Sequence, residues 1–227
     1  MNTVIFDLFE TLVTEWGRKK YTQREIASDL NVDYQLFHQE WRLSQKDRYL
    51  GKISSNIEVL DIILKKLKVN YNINVVNKIS QKRDECKNSC FEKIEPQIIE
   101  MLKILKNRKY KIGLISNCSR EEITGLKKCE LYQYFDAVIL SCDVGLIKPD
   151  IEIYRYCLNT LNEQPNNCYF VGDGGSDELN GAKKTGMIPL KALWFIKHFV
   201  KNYDFEKEYL SFMEPLEMIN HIIKNSA

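Results

Sequence analysis

The chain has no apolar run long enough to cross a bilayer, which takes about 20 consecutive apolar residues. Its start lacks the basic stretch followed by an apolar one that marks a secretory leader. An excess of one charge sign is also missing: 33 lysines and arginines stand against 31 aspartates and glutamates, a net charge of +2, and no basic cluster stands out. Lysine pairs such as Lys65-Lys66 directly follow apolar residues, here Ile62-Ile63-Leu64, as on the polar side of a helix. Neither nucleic acid nor a membrane surface is expected as a partner. Histidine is scarce. His38, His198 and His221 stand outside any motif, so no Ser-His-Asp triad or histidine metal site is expected. The seven cysteines are an odd number in a chain of 227 residues, with no short disulfide framework. Cys86 and Cys90 share an expected helix but have no histidine nearby to complete a metal site. Free thiols in a reducing cytoplasm are the expectation.

What is present is an apolar content of 44%, ample for one large domain or for a core with a smaller insert. Residues 3–7 read as a buried strand. From 16 to 92 the patterns are helical: Thr22 to Leu30, Tyr34 to Leu50 behind Asp33 as N-cap, Ile57 to Leu67 behind Ser54 or Ser55, and Asn74 to Cys90. Beyond Glu95-Pro96, which opens a helix reaching Asn107, strands and helices alternate. Strands are expected at 110–116, 137–141, 168–171 and 188–194. Helices are expected at 120–128, 150–161, 178–185 and 216–224. Alternation of this kind predicts an α/β fold, a doubly wound parallel sheet of Rossmann-like type. The expected organisation is a core of residues 1–15 and 93–227, interrupted after its first strand by an all-helical cap of residues 16–92.

The first strand stops on Asp7, which places a carboxylate at the carboxyl end of a strand, where open α/β sheets bind ligands. Asp7 is a candidate nucleophile, and Thr11 could orient it through a hydrogen bond. Ser116-Asn117 ends a second strand on a hydroxyl and an amide, groups that hold an anion or cap a helix. Lys148, ahead of Pro149-Asp150, can neutralise a phosphoryl group as a point charge. The strand at 168–171 runs into an acidic, glycine-rich loop, Gly172-Asp173-Gly174-Gly175-Ser176-Asp177-Glu178. Carboxylates gathered beside Asp7 repel one another unless a cation lies among them, and hard oxygen ligands favour Mg²⁺.

The order strand–Asp, strand–Ser, Lys-Pro, strand–Gly-Asp resembles the haloacid dehalogenase superfamily of hydrolases across the whole chain. It is carried by Asp7-Leu8-Phe9-Glu10-Thr11-Leu12, Ser116-Asn117, Lys148-Pro149-Asp150, Val171-Gly172-Asp173, Gly181-Ala182 and Gly186-Met187. The resemblance implies that Asp7 attacks phosphorus to give an aspartyl-phosphate, which water cleaves. It implies that Thr11 orients Asp7, that Ser116 and Asn117 bind the substrate's phosphoryl group and that Lys148 neutralises charge. Mg²⁺ would be held by Asp7, the Phe9 backbone carbonyl, Asp173 and Glu178, with Asp177 as the alternative to Glu178. Counting back from Gly181-Ala182 favours Glu178.

One departure bears on the chemistry. The family's phosphatases usually carry a second aspartate, the general acid and base, two residues after the nucleophile; here that residue is Phe9. The family's dehalogenases carry an aromatic there. Glu10 is a weak substitute, because successive side chains leaving a strand point apart. The acidic loop favours a metal and so a phosphoryl group, because displacing halide from carbon leaves no phosphoryl dianion to neutralise. The expected activity is an Mg²⁺-dependent phosphohydrolase acting on a small phosphorylated metabolite. The alternatives are a 2-haloacid dehalogenase and a weakly active binding or regulatory member. Arg42, Arg48, Tyr49 and Lys52 either face the site from the cap or line solvated helix faces. The sequence leaves the oligomeric state and the substrate open.

Overall fold

A computed structural model of the chain describes residues 2–196 and 208–225; His198 lies outside them. The apolar run of β1 (Thr3–Phe6) is fully buried. Five helices follow: α1 (Gln23–Asp29), α2 (Tyr34–Leu43), α3 (Gln45–Tyr49), α4 (Asn56–Lys66) and α5 (Ile73–Asn88). Alternation then begins with α6 (Pro96–Asn107), β2 (Lys111–Ser116), β3 (Ala137–Leu140), α7 (Ser141–Val144), α8 (Ile151–Leu161) and β4 (Cys168–Gly172). The chain continues through α9 (Glu178–Thr185), β5 (Ile188–Ala192), β6 (Leu210–Phe212) and α10 (Pro215–Asn225).

Among the described residues the strands form one sheet in the order β3-β2-β1-β4-β5-β6, every pair parallel. The order reverses at β1, so a crevice opens at the carboxyl ends of β1, β2 and β4. Alternation along β1 sets the two layers. Val4 and Phe6 join a cluster with Leu102 of α6 and Ile222 of α10, whereas Ile5 joins Tyr154 of α8 and Ala182 of α9. Each buried Val, Ile, Leu or Phe among them contributes about 1.5–3 kcal/mol. The helices α1–α5 bury a separate apolar cluster of their own, including Phe37, Trp41, Leu60, Ile63 and Val76.

Local chemistry fixes the helix starts. Thr22 and Glu25 form a capping box on α1, Asp33 accepts from Leu36 N at 3.0 Å on α2, and Ser55 accepts from Glu58 N at 3.2 Å on α4. Three expectations need correction, and one strand is unexpected. The single helix expected over Tyr34 to Leu50 breaks at Ser44, whose hydroxyl donates to Trp41 O at 2.8 Å and competes with the backbone ladder. The helix expected at 120–128 is two 3₁₀ turns, Arg120–Ile123 and Leu126–Lys128. Between them Gly125 N donates to Asn88 Oδ1 at 2.7 Å instead of continuing a helix. The helix expected to reach Cys90 stops at Asn88, and Ser89–Phe91 is a 3₁₀ turn. The strand β6 has no sequence signal: it is three residues long and only partly buried.

All seven cysteines are free. No helix among the described residues is long and apolar enough to cross a membrane. One close approach joins the helical stretch to the sheet's edge. Gly51, just after α3, has φ +71°, and a Cβ there would meet Cys142 O of α7 at 2.1 Å.

Candidate active site

The ends of β1, β2 and β4 are in register, Phe6 beside Leu114 and Val171, so the residues that follow them converge. Asp7 continues the ladder by one bond, its N donating to Val171 O at 2.8 Å, and its side chain is buried. Lys148, 3% exposed, places its ammonium between Asp7 Oδ1 and Glu178 Oε2 and bonds both. Asn117 holds that lysine by its backbone: Lys148 N donates to Asn117 Oδ1 at 2.8 Å, and Asn117 Nδ2 donates to Lys148 O at 2.9 Å. Both ends of the Asn117 side chain thus grip Lys148, and Asn117 also lines the cavity over the cluster.

The acidic loop is shaped by a missing side chain. A Cβ on Gly172 would meet Glu178 Oε1 at 2.0 Å, so only glycine lets Glu178 lie under the strand end. Glu178 accepts from Gly174 N at 3.3 Å, and its carbonyl accepts from Tyr154 Oη at 2.8 Å. Asp173 accepts from Gly175 N at 2.9 Å. Asp177 takes a left-handed conformation, φ 54°, and its carboxylate accepts from Asn180 Nδ2 at 3.0 Å. Glu178, not Asp177, therefore joins Asp7 and Asp173, and the three offer oxygens within 4.8 Å of one another.

The Lys148 ammonium pairs with two of the three carboxylates, Asp7 and Glu178. Burial, and then the charge of Asp7, push the Glu178 carboxyl well above the usual range, although Lys148 pulls the other way. Burial and Asp7 likewise raise Asp173. Lys148 itself is held firmly charged, its desolvation outweighed by Asp7 and Glu178. The surplus of clustered hard oxygen donors fits a divalent cation such as Mg²⁺.

Two hydroxyls at the strand ends have no hydrogen-bond partner although they are fully buried, Ser116 Oγ and Thr11 Oγ1. For Ser116 an unfilled donor at the end of β2 is what an incoming oxyanion would use. For Thr11 the finding is a correction, because the expected bond to Asp7 is not made. Thr11 lies in a tight turn closed by Leu12 N and Val13 N on Leu8 O, at 2.8 and 3.0 Å.

A cavity of about 250 Å³ opens over this cluster. Phe9 lines it, its ring 6.5 Å from that of Phe91, at the position where the family's phosphatases carry an acid. Glu10 lines it as well. Its left-handed φ of 56° breaks the expected alternation, and its carboxylate accepts from Thr14 Oγ1 at 2.6 Å and Glu15 N at 3.0 Å. The rest of the wall includes Tyr49, Lys87, Glu15 and Glu122. Of the residues considered on the helical stretch, only Tyr49 lines the cavity. Arg42 is exposed on α2, Lys52 is exposed and pairs with Asp47 at 3.2 Å, and Arg48 is buried against the Trp41 ring. Sequence reasoning did not find Glu15, Lys87 or Glu122. The Ser119–Glu122 capping box was legible as local structure, but its place on a cavity wall was not.

Similarity to known proteins agrees with this geometry. Among curated relatives, bifunctional epoxide hydrolase 2 of Rattus norvegicus is 33% identical over 102 residues, 43% of this chain but only 18% of that protein. Glyceraldehyde 3-phosphate phosphatase of Pyrococcus furiosus is 26% identical over 221 residues, 94% of this chain and 88% of the relative. The solved 2-haloacid dehalogenase of Pseudomonas syringae pv. Tomato DC3000 superposes with a TM-score of 0.72 at 20% identity, over 100% of both chains. A HAD family enzyme of Bacteroides thetaiotaomicron, in complex with magnesium and inorganic phosphate, superposes with a TM-score of 0.62 at 18% identity, over 85% of this chain and 94% of that one. At such identities the superpositions speak for the fold. Residues 1–190 match the profile of haloacid dehalogenase-like hydrolases and carry every segment of the carboxylate cluster, so the chain belongs to that family.

Proposed function

We propose that the chain is an Mg²⁺-dependent phosphohydrolase acting on a small phosphorylated metabolite through an aspartyl-phosphate on Asp7. The observation that carries this reading is the cluster of Asp7, Asp173 and Glu178, two of which pair with the Lys148 ammonium. Asp7, Asp173, Glu178 and the Phe9 backbone carbonyl would hold the ion. When bound, it neutralises negative charge on the phosphoryl oxygens. An Asp7 carboxylate oxygen bonds phosphorus as the bond to the leaving oxygen breaks. Water then attacks that phosphorus, releasing phosphate and restoring the carboxylate. Ser116 donates its free hydroxyl to a phosphoryl oxygen, and Lys148, gripped by Asn117, offsets charge at Asp7 throughout.

No acid stands at Phe9, so substrates with stabilised leaving groups, acyl and aryl phosphates, are favoured over alkyl esters. The helical stretch 16–92 acts as a cap that supplies Tyr49 and Lys87 to the leaving group's side of the cavity. The site of action is the cytoplasm, in keeping with seven free thiols.

Phe9 is also the observation that favours a second reading, a 2-haloacid dehalogenase. A screen of phosphate esters, acyl phosphates and 2-haloacids, each with Mg²⁺ and with chelator, separates the two. Phosphate release lost on chelation is expected. Chelator-resistant halide release would overturn the phosphatase reading.

A further inference from the structure

Beside the acidic cavity lies a second one of about 210 Å³ with the opposite charge. Its wall carries Arg18, Lys19 and Lys20 from the turn ahead of α1, and Arg83 and Lys87 from α5. The only carboxylate in that wall is Glu15. Three of these cations, Arg18-Lys19-Lys20, are consecutive in the chain; folding brings Arg83 and Lys87, more than sixty residues away, beside them. Glu15 and Lys87 line both cavities, and their ion pair at 2.7 Å stands between them.

The cations are under-matched. Arg18, Lys19 and Lys20 have no carboxylate partner among the described residues. Arg18 donates instead to Lys93 O at 2.6 Å, and Lys20 lies 4.2 Å from the centre of the Trp16 ring. Arg83 is 7% exposed and stacks on the Trp41 ring, 4.6 Å from its centre; its shielded Nε has no hydrogen-bond partner, and its nearest carboxylate, Glu122, is 4.0 Å away. Glu122 is shared with Lys87 at 3.3 Å. The positive charge of Arg83 is therefore matched only by a distant carboxylate that Lys87 also uses. The planar fork of an arginine, with lysines around it, suits an oxyanion.

We propose that this second cavity binds an oxyanion. The anion is either the distal acidic group of a substrate whose phosphoryl group lies at Asp7, spanning the Glu15–Lys87 pair, or a free inorganic oxyanion. The binding itself does not rest on the phosphohydrolase reading; the choice between sources does.

Calorimetric titration of the full chain with sodium sulfate, at low ionic strength and with chelator present, tests the binding. Lys19→Glu/Lys20→Glu changes exposed side chains only, and circular dichroism verifies its fold. Sulfate should bind the wild type and bind that double variant about tenfold more weakly. Affinity should be retained in Asp7→Asn and in the control pair Lys65→Glu/Lys66→Glu. No binding by the wild type, equal affinity in Lys19→Glu/Lys20→Glu, or an equal loss in the control pair would overturn the proposal.

The source follows from KM for phenyl phosphate and 4-carboxyphenyl phosphate. A lower KM for the carboxylated ester, abolished in Lys19→Glu/Lys20→Glu, assigns the site to the substrate; equal KM values assign it to a free oxyanion. Hydrolysis of neither ester would count against the phosphohydrolase reading and leave the sulfate result standing.

Discussion

The two neighbouring cavities are built in opposite ways. The acidic one takes Asp7 and Asp173 of its metal-type cluster from strand ends, where register aligns them with Ser116 at the end of β2. The basic one takes them from a turn and a helix whose relation depends on how α5 packs. Chemistry held by the sheet is rigid and readable from short motifs. Recognition held by helices is adjustable and appears only after folding.

The sharpest break between the two cavities is Asp7→Asn. Hydrolysis should fall by at least about 10³-fold, because an amide is a poor nucleophile, while sulfate binding next door persists. Steady-state assay of the purified variant decides it, and undiminished turnover would remove Asp7 from the chemistry.

Next in size is a gain. Phe9→Asp should raise turnover of alkyl phosphates by about 10²-fold, the lower bound for a general acid, with little change for aryl phosphates. Matched alkyl and aryl esters assayed on both proteins test this; equal wild-type rates with no gain would mean another group supplies the proton.

Metal affinity comes third. Gly172→Ala drives a Cβ into Glu178, so it should weaken Mg²⁺ binding about as much as Glu178→Gln does, by roughly 10–100-fold. Asp177→Asn should change it little. Titration calorimetry would show a misassigned loop if Asp177→Asn had the larger effect.

A smaller effect concerns pH. Glu178 and Asp173 bind protons more tightly when folded than when unfolded, so the metal-free protein should lose stability as pH rises above the ordinary carboxylate range. Mg²⁺ should flatten that slope. Thermal melts across pH with and without the ion read it, and a metal-free slope of the opposite sign would contradict the charge surplus. Smallest of all, Arg42→Ala and Lys52→Ala should alter KM by less than about twofold, since both side chains are exposed and outside the cavity wall.

The sequence was legible where one residue's place follows from a strand's end. Asp7, Ser116 and Asp173 are fixed in that way, and the parallel α/β order follows from alternating patterns. The choice between Asp177 and Glu178 turns on Gly172, whose lack of a Cβ admits the longer acid. Thr11 misled because its distance from Asp7 along the chain suggested a contact that the turn at Leu8 prevents. Glu10 misled because alternation fails once a residue takes positive φ. Lys87 and Glu122 carry no local sign of their position, since a helix face and a capping box look alike wherever they dock. Ser44 hid a helix break behind an unbroken polar and apolar rhythm.

Gly51 gives the join between helices and sheet an unexpected owner. Its hydrogen stands where a methyl group would overlap the Cys142 carbonyl, two residues from Tyr49 on the opposite wall. Any residue with a Cβ would collide with that carbonyl and strain the left-handed turn, so this contact would have to shift. The contact between the helical stretch and the edge of the sheet is therefore set by a residue that lines neither of the two cavities. Gly51→Ala would press on the Cys142 carbonyl and strain the left-handed backbone at this position, and a change in substrate size preference would report the shift.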